Sequence, residues 1–528
     1  MLSSIIPMEL FPFPSLLILL SSFLFFSVVV KIVRKMKIID SNKKLPPGPW
    51  KLPFIGNLHQ LVGSLPHRIL RDLANQHGPL MHLQLGEIST IIVSSPEIAK
   101  DVLITHGRIF ADRPYSIAAN VISYDSRDIL MAPYGNYWRQ VRKICTVELL
   151  TAKRVQSFES IRQEEVSGLV KYIFSNQGSP VNLTKKIFSL TYGITSRAAF
   201  GKICKDKDSY SIVVEEIIKL ASGFSLADLY PSFRVLELIS GLRQKAEAQL
   251  QKSDEILQGI INEHRANLES GRIGEGEAED DLVTVLLKTQ QLADLEFPLT
   301  DKEIKAIIWN IFGAGGETSS TSVDWAMSEM VRNPKVLQKA QKEVRQVCHG
   351  KRDVDEASLK ELKYLALVIK ETMRLHPPFP LLLPRESREN CEINGYQVPS
   401  RTKLIINAWA MGRDPRYWSE AETFYPERFL NSSIDFRGTD LEYIPFGAGR
   451  RICPGISFAL PNIELPLAKL LFHFDWELPS GLSHEDLDMT ETFGSPPVWR
   501  FLFGDFNFTE EPAVDVRPDY VVFDLNPN

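Results

Sequence analysis

The stretch FGAGRRICPG, Phe446–Gly455, sets one of only five cysteines in 528 residues among three glycines, two arginines and a proline. A thiolate that binds metal needs a lowered pKa, which nearby cations and a helix N-terminus supply. Cys453 stands just before Pro454, a residue favoured in the first turn of a helix, so its sulfur is expected at the positive end of the following dipole. Gly447, Gly449 and Gly455 permit tight turns and close approach of backbone to a flat ligand. The other cysteines (Cys145, Cys204, Cys348 and Cys391) are scattered, with no CxxC pair. That spacing argues against a disulfide framework, and the lack of a nearby histidine or second cysteine argues against zinc. A lone axial thiolate points to haem iron, where thiolate donation favours O–O cleavage.

Three other clusters could do chemistry. GAGGETSS, Gly313–Ser320, lies inside a helical run from Asp301 to Asn333. Each glycine there costs about 1 kcal/mol relative to alanine, so a helix that keeps three is expected to have something close to its backbone. Glu317 and Thr318 follow at once, a carboxylate and a hydroxyl able to pass protons. A kink with a surface Glu-Thr pair is the alternative. In YWRQVRKI, Trp138 and Arg142 are four apart on one helix face and suited to an anionic group; a core Trp with a snorkelling Arg is the ordinary reading. Glu371 and Arg374 share a helix face that Pro377 and Pro378 terminate. With Arg428 from FYPERF they are expected to form a buried charged cluster that fixes a loop, a scaffold and not a catalyst.

The elements that must position these residues are mostly helical. From Tyr134 to about Arg374 apolar residues recur at 3.6-residue spacing, while LMHLQLG and STIIVSS read as short strands. One more helix is expected around Ile456–Leu471. The chain is therefore expected to be one large, mainly α domain with a small β region. A net charge of −5 argues against nucleic acid as a partner. Leu10–Val30 carries no charge and as a helix would span roughly 31 Å, close to a hydrocarbon core. Lys31, Arg34, Lys35 and Lys37 follow it, so the body is expected in the cytosol. Next, Lys44–Asn57 (KLPPGPWKLPFIGN) reads as a stiff strut.

Together these motifs resemble the plant microsomal cytochrome P-450 haem-thiolate monooxygenases. The loop fits F-x-x-G-x-R-x-C-x-G at Phe446, Gly449, Arg451, Cys453 and Gly455. A-G-x-E-T falls on Ala314, Gly315, Glu317 and Thr318, E-x-x-R on Glu371 and Arg374, P-E-R-F on Pro426–Phe429, and W-x-x-x-R on Trp138 and Arg142. The resemblance covers roughly Lys44 to Gly494. It implies the cytochrome P-450 fold in one large domain, with an N-terminal transmembrane helix at residues 1–31, a basic and proline-rich hinge at 32–57 and a catalytic domain at 58–495; the tail at 496–528 is unlike the family and is expected to be poorly ordered.

It also implies roles. Cys453 is the axial ligand of heme b, which Ala314, Phe446, Gly449 and Gly455 flank. Trp138, Arg142, Arg385 and Arg451 hold its propionates. Thr318 and Glu317 serve oxygen activation and proton delivery. Electrons come from NADPH through NADPH-cytochrome P-450 reductase, docking near Arg139, Lys143 and Arg450, with cytochrome b5 as a second donor. The implied place is the endoplasmic reticulum membrane, single-pass, with the catalytic domain cytosolic. Pocket-lining segments near Ser116–Tyr124, Ile304–Gly313 and Pro378–Pro384 are largely apolar, favouring a lipophilic small-molecule substrate. A terpenoid is the first expectation and an indole alkaloid the second. Two further readings are a hydroperoxide-using isomerase, against which Glu317-Thr318 argues, and a haem-binding but inactive variant. The pattern breaks at Asn310, where relatives usually have Asp; at Pro461, inside the helix after the cysteine; and after Gly494, where the acidic tail replaces the family's last hairpin.

Overall fold

The computed structural model describes residues 44–176, 181–201, 225–271, 280–292 and 295–478, together with residue 22 and parts of 210–220, 483–491 and 522–524. The expected anchor thus lies outside the described residues save Ser22, and no described helix is long and apolar enough to cross a membrane. In chain order the elements that matter here are α1 (Pro66–His77), β1 (Leu80–Leu85), β2 (Ile88–Val93), α2 (Ile117–Ile122), α3 (Asn136–Lys143), α4 (Glu159–Ser175) and α5 (Leu183–Phe200). They are followed by α6 (Leu242–Glu269), α7 (Leu282–Gln290), α8 (Asp301–Arg332), α9 (Pro334–Val347) and α10 (Lys363–Leu375). The rest are β3 (Arg385–Glu386), β4 (Cys391–Ile393), β5 (Tyr396–Val398), β6 (Lys403–Ile406), α11 (Ile456–His473), β7 (Asp475–Glu477) and β8 (Val522–Asp524).

Helices dominate, as the 3.6-residue spacing predicts, and the sheet is small. Its order is β1-β2-β6-β3: β2 runs antiparallel to β1 and parallel to β6, and β3 runs antiparallel to β6, placing Arg385 opposite Leu404. Of the tail past residue 495, the described piece β8 pairs antiparallel with β7, Trp476 opposite Phe523. α11 starts at Ile456 with Gly455 as its N-cap, so Pro454 sits outside the helix, not in its first turn. The helix carries both Pro461 and Pro466, each removing one main-chain donor from the ladder.

α8 is the axis. A capping box starts it: Thr300 Oγ1 accepts from the Lys302 N–H, and the Thr300 N–H donates to Glu303 Oε2 at 2.9 Å. Most of its residues are buried, from Ile304 through Val331. The glycine run lets α5 come close. A Cβ on Gly316 would lie 2.9 Å from the Tyr192 ring, and one on Gly315 would lie 3.3 Å from both Thr195 Cγ2 and Phe458 Cε1. What approaches the backbone at Gly315 and Gly316 is therefore neighbouring helices. We expect Gly316→Ala to cost about 1–3 kcal/mol through overpacking, read as a lower unfolding midpoint. Gly259→Ala on α6, where an added Cβ meets nothing within 4 Å, is the control and should not lower it.

Candidate active site

The loop from Phe446 turns sharply because Gly447 (φ 70°) and Gly449 (φ 67°) take the left-handed region. At Gly449 no side chain fits, since a Cβ would fall 2.3 Å from the Leu103 carbonyl oxygen. The fold-back brings the Cys453 N–H onto the Phe446 carbonyl at 3.0 Å. The Gly455 N–H donates to Cys453 Sγ at 3.3 Å. Burial pushes the Cys453 thiol up, while that N–H and the Arg142 charge pull it down. Among the described residues no three His, Cys, Asp or Glu side chains cluster as a metal cage, so the sulfur stands alone.

Four arginines cluster near this loop, with Arg142 close enough to act on the sulfur and Arg113, Arg142 and Arg385 each close enough to act on or feel Arg451. Arg451 donates to the carbonyls of Ala111 (2.8 Å), Ile129 (3.2 Å), Leu130 (3.4 Å) and Ala132 (2.5 Å). Its guanidinium lies 4.4 Å from the Trp138 ring centroid, and Arg142 covers the same ring at 5.9 Å. Arg385, carried on β3, gives Nη2 to the Ala448 carbonyl at 2.9 Å and leaves Nη1 buried without a partner. Arg113 donates to the carbonyls of Leu130 (3.1 Å), Leu383 (2.8 Å) and Pro384 (2.8 Å). Sequence spacing did not single out Arg113.

Burial and mutual repulsion weaken these cations. Burial, then Arg451, brings Arg385 down to about 9, and burial brings Arg451 down to about 10. Burial first, then Arg451 and Arg385, drives Arg113 well below its ordinary value, and burial lowers Arg142. Such a cluster is at ease only against added negative charge. The Trp138 N–H is already committed to the Ile129 carbonyl at 2.9 Å. Trp138 is thus a platform for two guanidinium groups, and the free donors expected for an anion are those of Arg142 and Arg385.

On α8, Ala314 is exposed although Phe312, Gly313 and Gly316 around it are buried. Thr318 Oγ1 donates to the Ala314 carbonyl at 2.7 Å, so its hydroxyl lies along that open face. Glu317 points elsewhere: its Oε2 accepts from the Tyr192 hydroxyl of α5 at 3.4 Å. Asn310 bridges to the loop before α3, donating to Asp128 Oδ2 at 2.9 Å and accepting from the Leu130 N–H at 3.2 Å. Opposite, Ser116 and the Ile117 N–H donate to the Asp228 carboxylate at 3.1 and 2.9 Å, tying α2 to the chain before α6.

The expected charged scaffold is present and stands apart from this chemistry. Arg374 makes two bonds to Glu371, at 2.7 and 2.8 Å, and Arg428 adds a third at 2.9 Å. Glu371 and Arg374 are fully buried.

These residues fit a haem. A single sulfur with an N–H on it, an alanine left exposed on an otherwise mostly buried helix at Ala314, and a desolvated arginine cluster with an orphaned donor suit a planar dianionic macrocycle. The cytochrome P450 family profile matches residues 46–501. Premnaspirodiene oxygenase of Hyoscyamus muticus is 52% identical over 477 residues, covering 90% of this chain and 95% of its own length. Tabersonine 6,7-epoxidase isoform 1 of Catharanthus roseus is 54% identical, covering 86% of this chain and 90% of its own. 5-epiaristolochene 1,3-dihydroxylase of Nicotiana tabacum is 50% identical, covering 90% and 95%. A solved zebra fish cytochrome P450 with progesterone superimposes with a TM-score of 0.70 at 25% identity, covering 82% of this chain and 97% of its own.

Proposed function

The chain belongs to the cytochrome P450 family, and from that premise we propose that it is an NADPH- and O2-dependent monooxygenase hydroxylating a lipophilic plant terpenoid. The carrying observation is the similarity to premnaspirodiene oxygenase and 5-epiaristolochene 1,3-dihydroxylase over nine-tenths of the chain, two relatives whose names give terpenoid substrates. The apolar segment Pro378–Pro384 supports it. A second reading, an indole-alkaloid oxidase, is favoured by the 54% identity to tabersonine 6,7-epoxidase.

Haem bound to Cys453 supplies activation of O2. The chain's own residues do the rest. Arg142 and Arg385 bind the propionates, with Arg113 and Arg451 holding the carbonyl frame around them. Thr318 Oγ1, at the open face of α8, holds a proton for delivery there; Glu317, which here faces the Tyr192 hydroxyl, is the acid that replenishes it once its side chain turns from Tyr192 toward that face. Exposed Arg139 and Arg450, both over the Tyr134 ring, and exposed Lys143 at the end of α3 suit an acidic reductase surface, or that of cytochrome b5.

Membrane seating, with residues 1–31 as the span and the catalytic domain at 58–495, has support from an apolar surface. Trp50, Leu226, Val235, Leu238 and Ile239 are all more than half exposed. The Tyr230 hydroxyl bonds the Phe54 carbonyl at 3.2 Å, joining the two stretches on one side of the molecule. In microsomes with reductase, a screen of terpenes and indole alkaloids should give NADPH-dependent product from a terpene; product from alkaloids alone would overturn that substrate class. Thr318→Ala should lower product formed per NADPH consumed by at least about tenfold. Unchanged coupling would remove Thr318 from proton delivery.

A further inference from the structure

Trp138, Arg113 and Arg451 do not aim themselves. Their donors share the carbonyls of one turn, residues 128–132: Ile129 O takes Trp138 and Arg451, Leu130 O takes Arg113 and Arg451, and Ala132 O takes Arg451. The chain entering this turn has three successive non-glycine residues in the left-handed region, Tyr124 (φ 53°), Asp125 (φ 61°) and Ser126 (φ 59°). Such backbone costs free energy and persists only when its surroundings over-determine it.

The clamp comes from α8, 180 residues away by the Leu130–Asn310 bond. Lys302 pairs with Asp125 at 2.8 Å and Glu303 with Arg127 at 2.7 Å, both with a largely exposed partner. The third contact is of another kind. Asp128 is 1% exposed and uses Oδ1 for the Met131 N–H at 2.6 Å and Oδ2 for the Asn310 amide at 2.9 Å. Asn310 Oδ1 in turn accepts the Leu130 N–H at 3.2 Å. Two turn N–H groups each need an oxygen, and one donor must lie between the two side chains.

We propose that Asn310 is a positioning residue for the haem edge: with Asp128 it forms a one-amide, one-carboxylate clip that locks the turn aiming Trp138, Arg113 and Arg451. The inference rests on the haem reading of Cys453. The clip holds with Asp128 in either protonation state, because an amide N–H donates to a carboxylate or to a neutral carboxyl oxygen alike. Burial raises Asp128 to about 6, against the lowering bonds of Met131 and Asn310 and the Arg451 charge. The other charged or titratable groups facing it are Arg113, Tyr137 and Cys145. A carboxyl at 310 would turn the clip into an acid pair. Such a pair holds while one proton is shared, and opens as rising pH removes it.

The test is the rate at which ferric holoprotein loses haem to an excess of a haem-scavenging globin, between about pH 6 and pH 8.5, from the raised Asp128 value upward. Wild type should show a flat profile. Asn310→Leu should lose haem roughly tenfold faster throughout, the scale for losing a group that orients a cofactor ligand. Asn310→Asp should match wild type at the acid end and approach Asn310→Leu at the alkaline end. The exchanged pair Asp128→Asn/Asn310→Asp again has one amide and one carboxylate and should restore the flat profile. The proposal is overturned if Asn310→Asp or Asn310→Leu tracks wild type at every pH, or if the exchange keeps the alkaline loss. Should the single variants not accumulate, the exchanged pair decides alone: a flat profile supports the clip and a steep one refutes it. A wild type with no reduced-CO band would defeat the haem reading instead.

Discussion

Cys453→Ala is expected to abolish the thiolate-type Soret band of the reduced, CO-treated protein. Among the described residues no other cysteine stands ready to take over. Cys145 is buried on the helix after α3 with its thiol pushed up to about 12 by burial, Cys348 is buried in the core beside α9 and α10, and burial pushes the Cys391 thiol on β4 up to about 11. The loop is built around the one ligand: the Gly455 N–H stabilises the anionic sulfur, and the Cys453 N–H–Phe446 carbonyl bond holds the sulfur's own residue. Removing Sγ leaves that N–H and the Arg142 charge facing nothing, so any haem retained would be held by the arginine cluster alone. A variant that keeps the band overturns the assignment. One that keeps haem but loses the band confirms it most directly.

The second large effect lies in the scaffold. Glu371→Ala leaves Arg374 and Arg428 buried at 0% and 5% side-chain exposure with no countercharge. Breaking a buried pair on one side costs about 3–5 kcal/mol, a large part of the roughly 5–15 kcal/mol that keeps a domain folded. Two arginines depend on this one carboxylate, so the expectation is failure to accumulate holoprotein, measured as soluble yield and unfolding midpoint. Arg345→Ala breaks an ion pair with Asp475 whose partners are 41% and 37% exposed. It should shift the midpoint little, since such pairs contribute about 0–1 kcal/mol. Equal losses in the two variants would refute the contrast.

How much of this was legible in the sequence follows from distance along the chain. The Glu371–Arg374 pair is a local pattern and stands as its spacing indicates; in the Cys453 loop the tight glycine turns at Gly447 and Gly449 were local too, whereas Pro454 falls outside the helix whose first turn it was expected to occupy. The addition of Arg428 was inferable because PERF sits in a stretch with no other reason for a buried cation. Contacts across the chain were not legible. Nothing local marks Arg113 in ADRP, whose guanidinium reaches Leu383 and Pro384. The Trp138 N–H reads as free until the turn at Ile129 is folded onto it. The glycine run of α8 announced a close neighbour, yet only packing shows that Tyr192 and Thr195 fill that role at Gly315 and Gly316. Asn310 stood out as an irregularity; its partner Asp128 did not.

The Glu371 cluster has one more property. Apart from Glu371, Arg374 and Arg428 bond main-chain carbonyls of Gly412, Ala421, Thr423, Ser419 and Glu420. Those bonds are indifferent to which side chains the loop carries. A surface held this way can be relettered at 419 and 423 without loosening its frame, whereas Glu420, at φ 46°, is confined to residues that tolerate left-handed backbone. That freedom lets selection, or a protein engineer, change the charge this exposed stretch shows to solvent while the fold beneath it stays unchanged.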